Sequence, residues 1–96
     1  MLTRSQILES LRQHKPILQE RFAVRRIGLF GSYARDDATG GSDIDTLVDL
    51  AVPTFDHYMG LKFYLEDLFQ VPVDVVLTDS LKPRIKPYIE AEVIYA

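Results

Sequence analysis

The chain has no cysteine and no tryptophan in 96 residues. Without cysteine there is neither a disulfide framework nor a thiolate metal site, and the composition suits a reducing compartment, so a cytoplasmic location is expected. Long apolar runs are also missing. No segment approaches the roughly 20 apolar residues that span a bilayer, and the opening MLTRSQILES lacks the apolar core of a signal peptide. No membrane partner is therefore expected. Nor is there excess basic charge: 11 Lys and Arg against 14 Asp and Glu leave −3. Phosphate neutralisation needs clustered cations, so no direct nucleic-acid footprint is expected. The basic clusters are small, Arg25 with Arg26, then Lys82, Arg84 and Lys86. No repeat, low-complexity tract or linker appears, and residues 1–96 read as one domain with a single core.

What is present alternates between two periodicities. Thr3 with Gln6 reads as a capping box opening a helix, with Ile7, Leu8, Leu11, Ile17 and Leu18 on one face and a kink or break at Pro16. Val24 to Phe30 reads as a strand. Gly31 and Ser32 end it, with Ser32 as N-cap of a short helical turn through Tyr33, Ala34 and Arg35. A polar loop, Asp36 to Ser42, leads to a second strand from Asp43 to Leu50. Thr54 caps a helix from Phe55 to about Phe69, Val71 to Thr78 is a third strand, and Asp79 or Ser80 caps a last helix through about Ala91. The apolar tail Val93 to Tyr95 could pack on the sheet or form a contact surface. This order predicts an open α/β sheet with helices packed on it.

Chemistry concentrates in Gly31-Ser32, ten residues, then Asp43-Ile44-Asp45. Strand side chains alternate, so Asp43 and Asp45 point to one side, about 7 Å apart along the strand. Two carboxylates so placed call for a cation, and hard oxygen donors suit Mg²⁺ or Mn²⁺. Asp74 is a lone charge inside an apolar strand, where a buried carboxylate is expected that needs a partner. If the third strand lies beside the second, Asp74 completes a three-carboxylate cluster. Gly31 lets a phosphate approach the backbone, the helix start offers free N–H groups, and the Ser32 hydroxyl can donate one more bond.

The run GLFGSYARDDATGGSDIDTLVDL resembles the polymerase-β-like nucleotidyltransferase superfamily. More narrowly it is similar to the minimal nucleotidyltransferases that act as antitoxins to HEPN-domain toxins. The resemblance covers nearly the whole chain and implies a small mixed sheet flanked by helices, an α/β (α+β) fold. It implies that Asp43 and Asp45 are metal ligands and that Asp74, a third ligand, helps activate the acceptor hydroxyl. Gly31 and Ser32 would hold the triphosphate, with Arg35 and Ser42 as further nucleotide-site candidates. The implied activity is transfer of AMP from ATP to a hydroxyl of the toxin, typically a tyrosine. Members often carry Gly after the arginine, where this chain has Asp36.

Simpler roles exist for several of these residues. Arg35, beside two acids, could be a surface charge; Ser42 could be a turn residue; Asp74 could pair with Arg26. His14 and His57 lack metal-ligand spacing. Two other functions are compatible with the residues: neutralisation of a toxin by binding alone, or nucleotide transfer to a small molecule.

Overall fold

The structure is a computed structural model that describes all residues from 1 to 96. Helix α1 spans Arg4–Phe22, and its start is the predicted capping box. Thr3 Oγ1 accepts from the Gln6 N–H at 3.1 Å while Gln6 Oε1 accepts from the Thr3 N–H at 2.9 Å. Pro16 does not split the helix. It lies on the exposed side, where water can serve the carbonyl its missing N–H leaves free. The buried face is Ile7, Leu8, Leu11, Leu18 and Phe22. Ile17, expected on that face, is 41% exposed because it sits next to Leu18 rather than a turn away from it.

The chain continues as β1 (Val24–Phe30), α2 (Gly31–Arg35), β2 (Ile44–Leu50), α3 (Phe55–Phe69), β3 (Val73–Leu77), a short 3₁₀ turn (Thr78–Ser80), α4 (Lys86–Glu92) and β4 (Ile94–Tyr95). Two strands are shorter than expected, and the last helix starts later. Pro83 and Pro87 remove donors from that stretch, so the chain runs irregularly until Pro87 can occupy the first turn of α4. Neither Asp79 nor Ser80 caps it. The apolar tail packs back as an edge strand.

The sheet order is β3-β2-β1-β4. β2 and β3 run parallel, while β1 is antiparallel to both β2 and β4, so the sheet is mixed. Alternation along β2 divides its residues between two faces. Ile44, Thr46, Val48 and Leu50 join the core beneath α1 and α3, and Asp45, Leu47 and Asp49 take the other face. On that second face Val93 and Tyr95 lie over Gly28, whose lack of a Cβ makes room for them.

Glu66 and Lys62 on α3 grip the first residue of β3. Glu66 Oε2 accepts the Val73 N–H at 3.0 Å, and Lys62 Nζ donates to the Val73 carbonyl at 2.6 Å. The bond from Val73 holds the Glu66 carboxyl below its ordinary range, with help from Lys62. This clamp sets where the next residue, Asp74, stands.

Candidate active site

The end of the sheet where β1 leaves and β2 begins carries the carboxylates. In the register of β2 against β3, Asp45 is directly paired with Asp74. Asp45 also faces Phe30 at the end of β1, one residue before the Gly31 turn. Asp43 precedes β2 by one residue and is exposed. Asp74 is exposed too, which corrects the expectation of a buried charge: β3 is an edge strand, and this side chain lies on the face that α1 and α3 do not cover. Its carbonyl accepts a bond at 2.8 Å from the hydroxyl of Thr46, the single buried polar side chain of the core. Arg26 is not its partner; that guanidinium stacks 3.7 Å over the Tyr95 ring.

Gly31 is the first residue of α2 and has φ +76°, a region that L side chains avoid. A Cβ there would come 2.9 Å from Asp45 Cγ and 3.1 Å from Asp45 Cβ. Glycine thus serves two needs at once, the backbone turn and the close approach of a carboxylate. Ser32 is not the N-cap that the sequence suggested. Phe30 holds that position with no side-chain cap bond, because the helix begins one residue earlier at the glycine. Ser32 is partly buried, and its hydroxyl makes no bond within the chain.

Electrostatics identify Asp45 as the strained member. Its pKa is raised first by burial, then by the charges of Asp74 and Asp43, with Arg35 pulling the other way. A carboxylate so placed among like charges would be relieved by a cation. In this conformation no three carboxylates close around one point. The donor set is all hard oxygen, set among surface-accessible positions, and suits Mg²⁺ or Mn²⁺ ions that keep several waters.

Arg35 and Ser42 are engaged within the protein. Arg35 Nη1 donates to Glu92 Oε1 at 2.7 Å and Nε donates to Asp37 Oδ2 at 3.3 Å. Ser42 Oγ accepts the Thr39 N–H at 2.9 Å, closing the loop before β2. Asp36 takes φ 64° as the left-handed cap of α2, a conformation that glycine adopts without strain. Glu92, which no sequence pattern singled out, also accepts the Gly31 N–H at 3.0 Å. The largest surface cavity, about 350 Å³, is lined by Pro53, Thr54, Phe55, Tyr58, Val75, Leu77 and Ser80 and contains none of the carboxylates. The acidic end of the sheet is an open shelf.

A short helix seated on a glycine turn, with acidic strand residues paired beside it, can present backbone N–H groups and carboxylates to one phosphate-bearing ligand. The nucleotidyltransferase domain family matches residues 11–96, and the chain belongs to that family. The protein adenylyltransferase MntA of Thermococcus cleftensis is 45% identical over 96 residues, covering 99% of this chain and 97% of that one. A solved structure described as a candidate minimal nucleotidyltransferase is 35% identical, covers 91% of this chain and 93% of its own, and superposes with a TM-score of 0.74. A solved MntA–HpeT toxin–antitoxin complex contains a chain 25% identical, with a TM-score of 0.67 and coverage of 100% and 72%. The fold is that of the polymerase-β-like minimal nucleotidyltransferases, and the chain is an enzyme of the nucleotidyltransferase class. No helix is long and apolar enough to cross a membrane.

Proposed function

We propose that this protein is an antitoxin that transfers AMP from ATP to a hydroxyl, a tyrosine in the first instance, of a cognate HEPN-domain toxin. The observation that carries the reading is the pairing of Asp45 with Asp74 across β2 and β3, beside the glycine turn. The relatives support it: MntA is named a protein adenylyltransferase, and the complex of similar fold is a toxin–antitoxin pair.

In this reading the acceptor oxygen attacks the α-phosphorus as its bond to the bridging oxygen of pyrophosphate breaks. The leaving pyrophosphate takes the bonding electrons. Asp74, exposed at the edge of the site, takes the acceptor proton. Asp43 and Asp45 would hold Mg²⁺ or Mn²⁺, which supplies charge neutralisation at the phosphates. Gly31 leaves the backbone open to the triphosphate, and the free Ser32 hydroxyl donates to a phosphate oxygen.

The test is incubation with α-labelled ATP, Mg²⁺ and a HEPN-domain protein encoded in the same genome. Label should move to that protein and be lost with Asp43→Asn combined with Asp45→Asn. If the double variant still labels the partner, the site is wrong. If it still rescues cells from the toxin without labelling, neutralisation is by binding alone and the catalytic reading fails.

A further inference from the structure

β3 is an edge strand, and at an edge every second residue turns its main-chain N–H and C=O away from the sheet. The Pro72 carbonyl accepts the Ile44 N–H at 3.0 Å, so Pro72 and Asp74 turn toward β2 while Val73 turns outward. Such outward groups ordinarily meet water or a further strand. Here α3 supplies both partners from one face. Glu66 Oε2 accepts the Val73 N–H at 3.0 Å, Lys62 Nζ donates to the Val73 carbonyl at 2.6 Å, and the two side chains pair at 3.5 Å. Those side chains are 27% and 29% exposed, so the cluster is partly shielded from water.

Two bonds bracket a single α-carbon. The Val73 carbonyl belongs to the peptide group before the Asp74 Cα, and the Asp74 carbonyl belongs to the one after it. Lys62 holds the first, and the Thr46 hydroxyl holds the second at 2.8 Å. Both peptide planes beside Asp74 are thus anchored by side chains, one from α3 and one from β2. Fixing two successive planes fixes φ and ψ between them, and with them the direction of the Asp74 Cα–Cβ bond. The Asp74 carboxylate is exposed, so its backbone is what aims it. A proton acceptor has to stand within hydrogen-bond reach of the oxygen it serves, and strand ends open readily.

We infer that Lys62 and Glu66 are positioning residues: by holding Val73 from outside the sheet, they aim the Asp74 carboxylate at the hydroxyl that receives the nucleotide. The inference rests on the reading of Asp74 as the group that takes the acceptor proton. Both side chains act through the backbone.

The experiment is steady-state AMP transfer from ATP to the HEPN-domain protein, with amide hydrogen exchange and thermal melting of the same chains. Lys62→Met keeps the aliphatic stem and loses the donor. It is expected to lower kcat roughly tenfold, while the KM for ATP stays within about twofold. Glu66→Ala should act in the same direction, and Glu66→Gln, which keeps an acceptor for the Val73 N–H, should recover most of that loss. In an Asp74→Asn background, Lys62→Met should lower kcat less than about twofold further, since no carboxylate remains to be aimed. Independently of transfer, the Val73 amide should exchange at least about tenfold faster in Glu66→Ala than in the native chain.

An equal fractional loss of kcat in both backgrounds would make the clamp a general support of the fold and overturn the inference. Native kcat in both Lys62→Met and Glu66→Ala overturns it too, as does a Val73 amide that exchanges equally fast with and without the Glu66 carboxylate. If Asp74→Asn is slow while the clamp variants are native, only the positioning role falls. If Asp74→Asn transfers as fast as the native chain, or the native chain labels no HEPN-domain protein, the reading of the site falls and this inference with it.

Discussion

Alanine at Gly31 is the sharpest probe of this site, because one methyl group meets two separate obstacles. The backbone there has φ +76°, and an L side chain in that region costs about 1 kcal/mol or more. The new Cβ would also stand 2.9 Å from Asp45 Cγ, where ordinary carbon contacts begin near about 3.5 Å. The carboxylate must therefore turn or retreat by more than half an ångström, which adds about 1–2 kcal/mol of overpacking strain. The combined loss is about 2–3 kcal/mol, or roughly 10–20 °C in melting temperature for a domain of this size. Urea unfolding followed by circular dichroism measures it, with Gly40→Ala as control, since nothing lies within 4 Å of a Cβ at that position. Shortening Asp45 to alanine removes the carboxylate and leaves only the Cβ contact at 3.1 Å, so in that background Gly31→Ala should cost less, about 1–2 kcal/mol. In the otherwise native chain, displacing Asp45 should lower adenylyl transfer on the order of a hundredfold. Equal costs in the two backgrounds, or transfer within a few-fold of native, would refute the view that glycine is there to admit the carboxylate.

Two further outcomes follow from the same geometry. The folded pKa of Asp45 lies above its ordinary 3.8, so its contribution to stability is present in full below that value and is lost as pH rises through the folded pKa. Asp45→Asn should then melt above the native protein at pH 7, with the difference closing toward pH 3 and with Mg²⁺ raising the native protein alone. A variant that melts no higher at pH 7 contradicts the charge crowding. Asp36→Gly, which relieves a non-glycine residue at φ 64°, should raise the urea midpoint, a gain of about 0.5–1 kcal/mol; a loss would mean that the Asp36 side chain has a structural use.

Much of this architecture was legible because it depends on local physics. The capping box of Thr3 and Gln6 satisfies helix N–H groups with neighbours three residues away, and the cap at Thr54 does the same. The alternation of Ile44 and Asp45 sets sidedness whatever lies beside the strand. Other features depended on what packs against them. Pro16 stays inside a continuous helix because its face is exposed, a property of tertiary placement that the residue itself does not carry. Ser32 looked like a cap until the turn was seen to begin at Gly31. Asp74 looked buried because its neighbours are apolar, yet β3 is an edge strand that offers this side chain an open face.

The residues alone therefore determined the α/β order, the glycine turn and the spacing of the acidic pair, since each arises within a few positions of the chain. Only the tertiary structure decided that Asp74 lies opposite Asp45 and that Glu92, 61 positions from Gly31, takes the N–H and arginine of the turn. Both depend on strand order and register, which are set by how the whole apolar face is buried and not by any short stretch of chain.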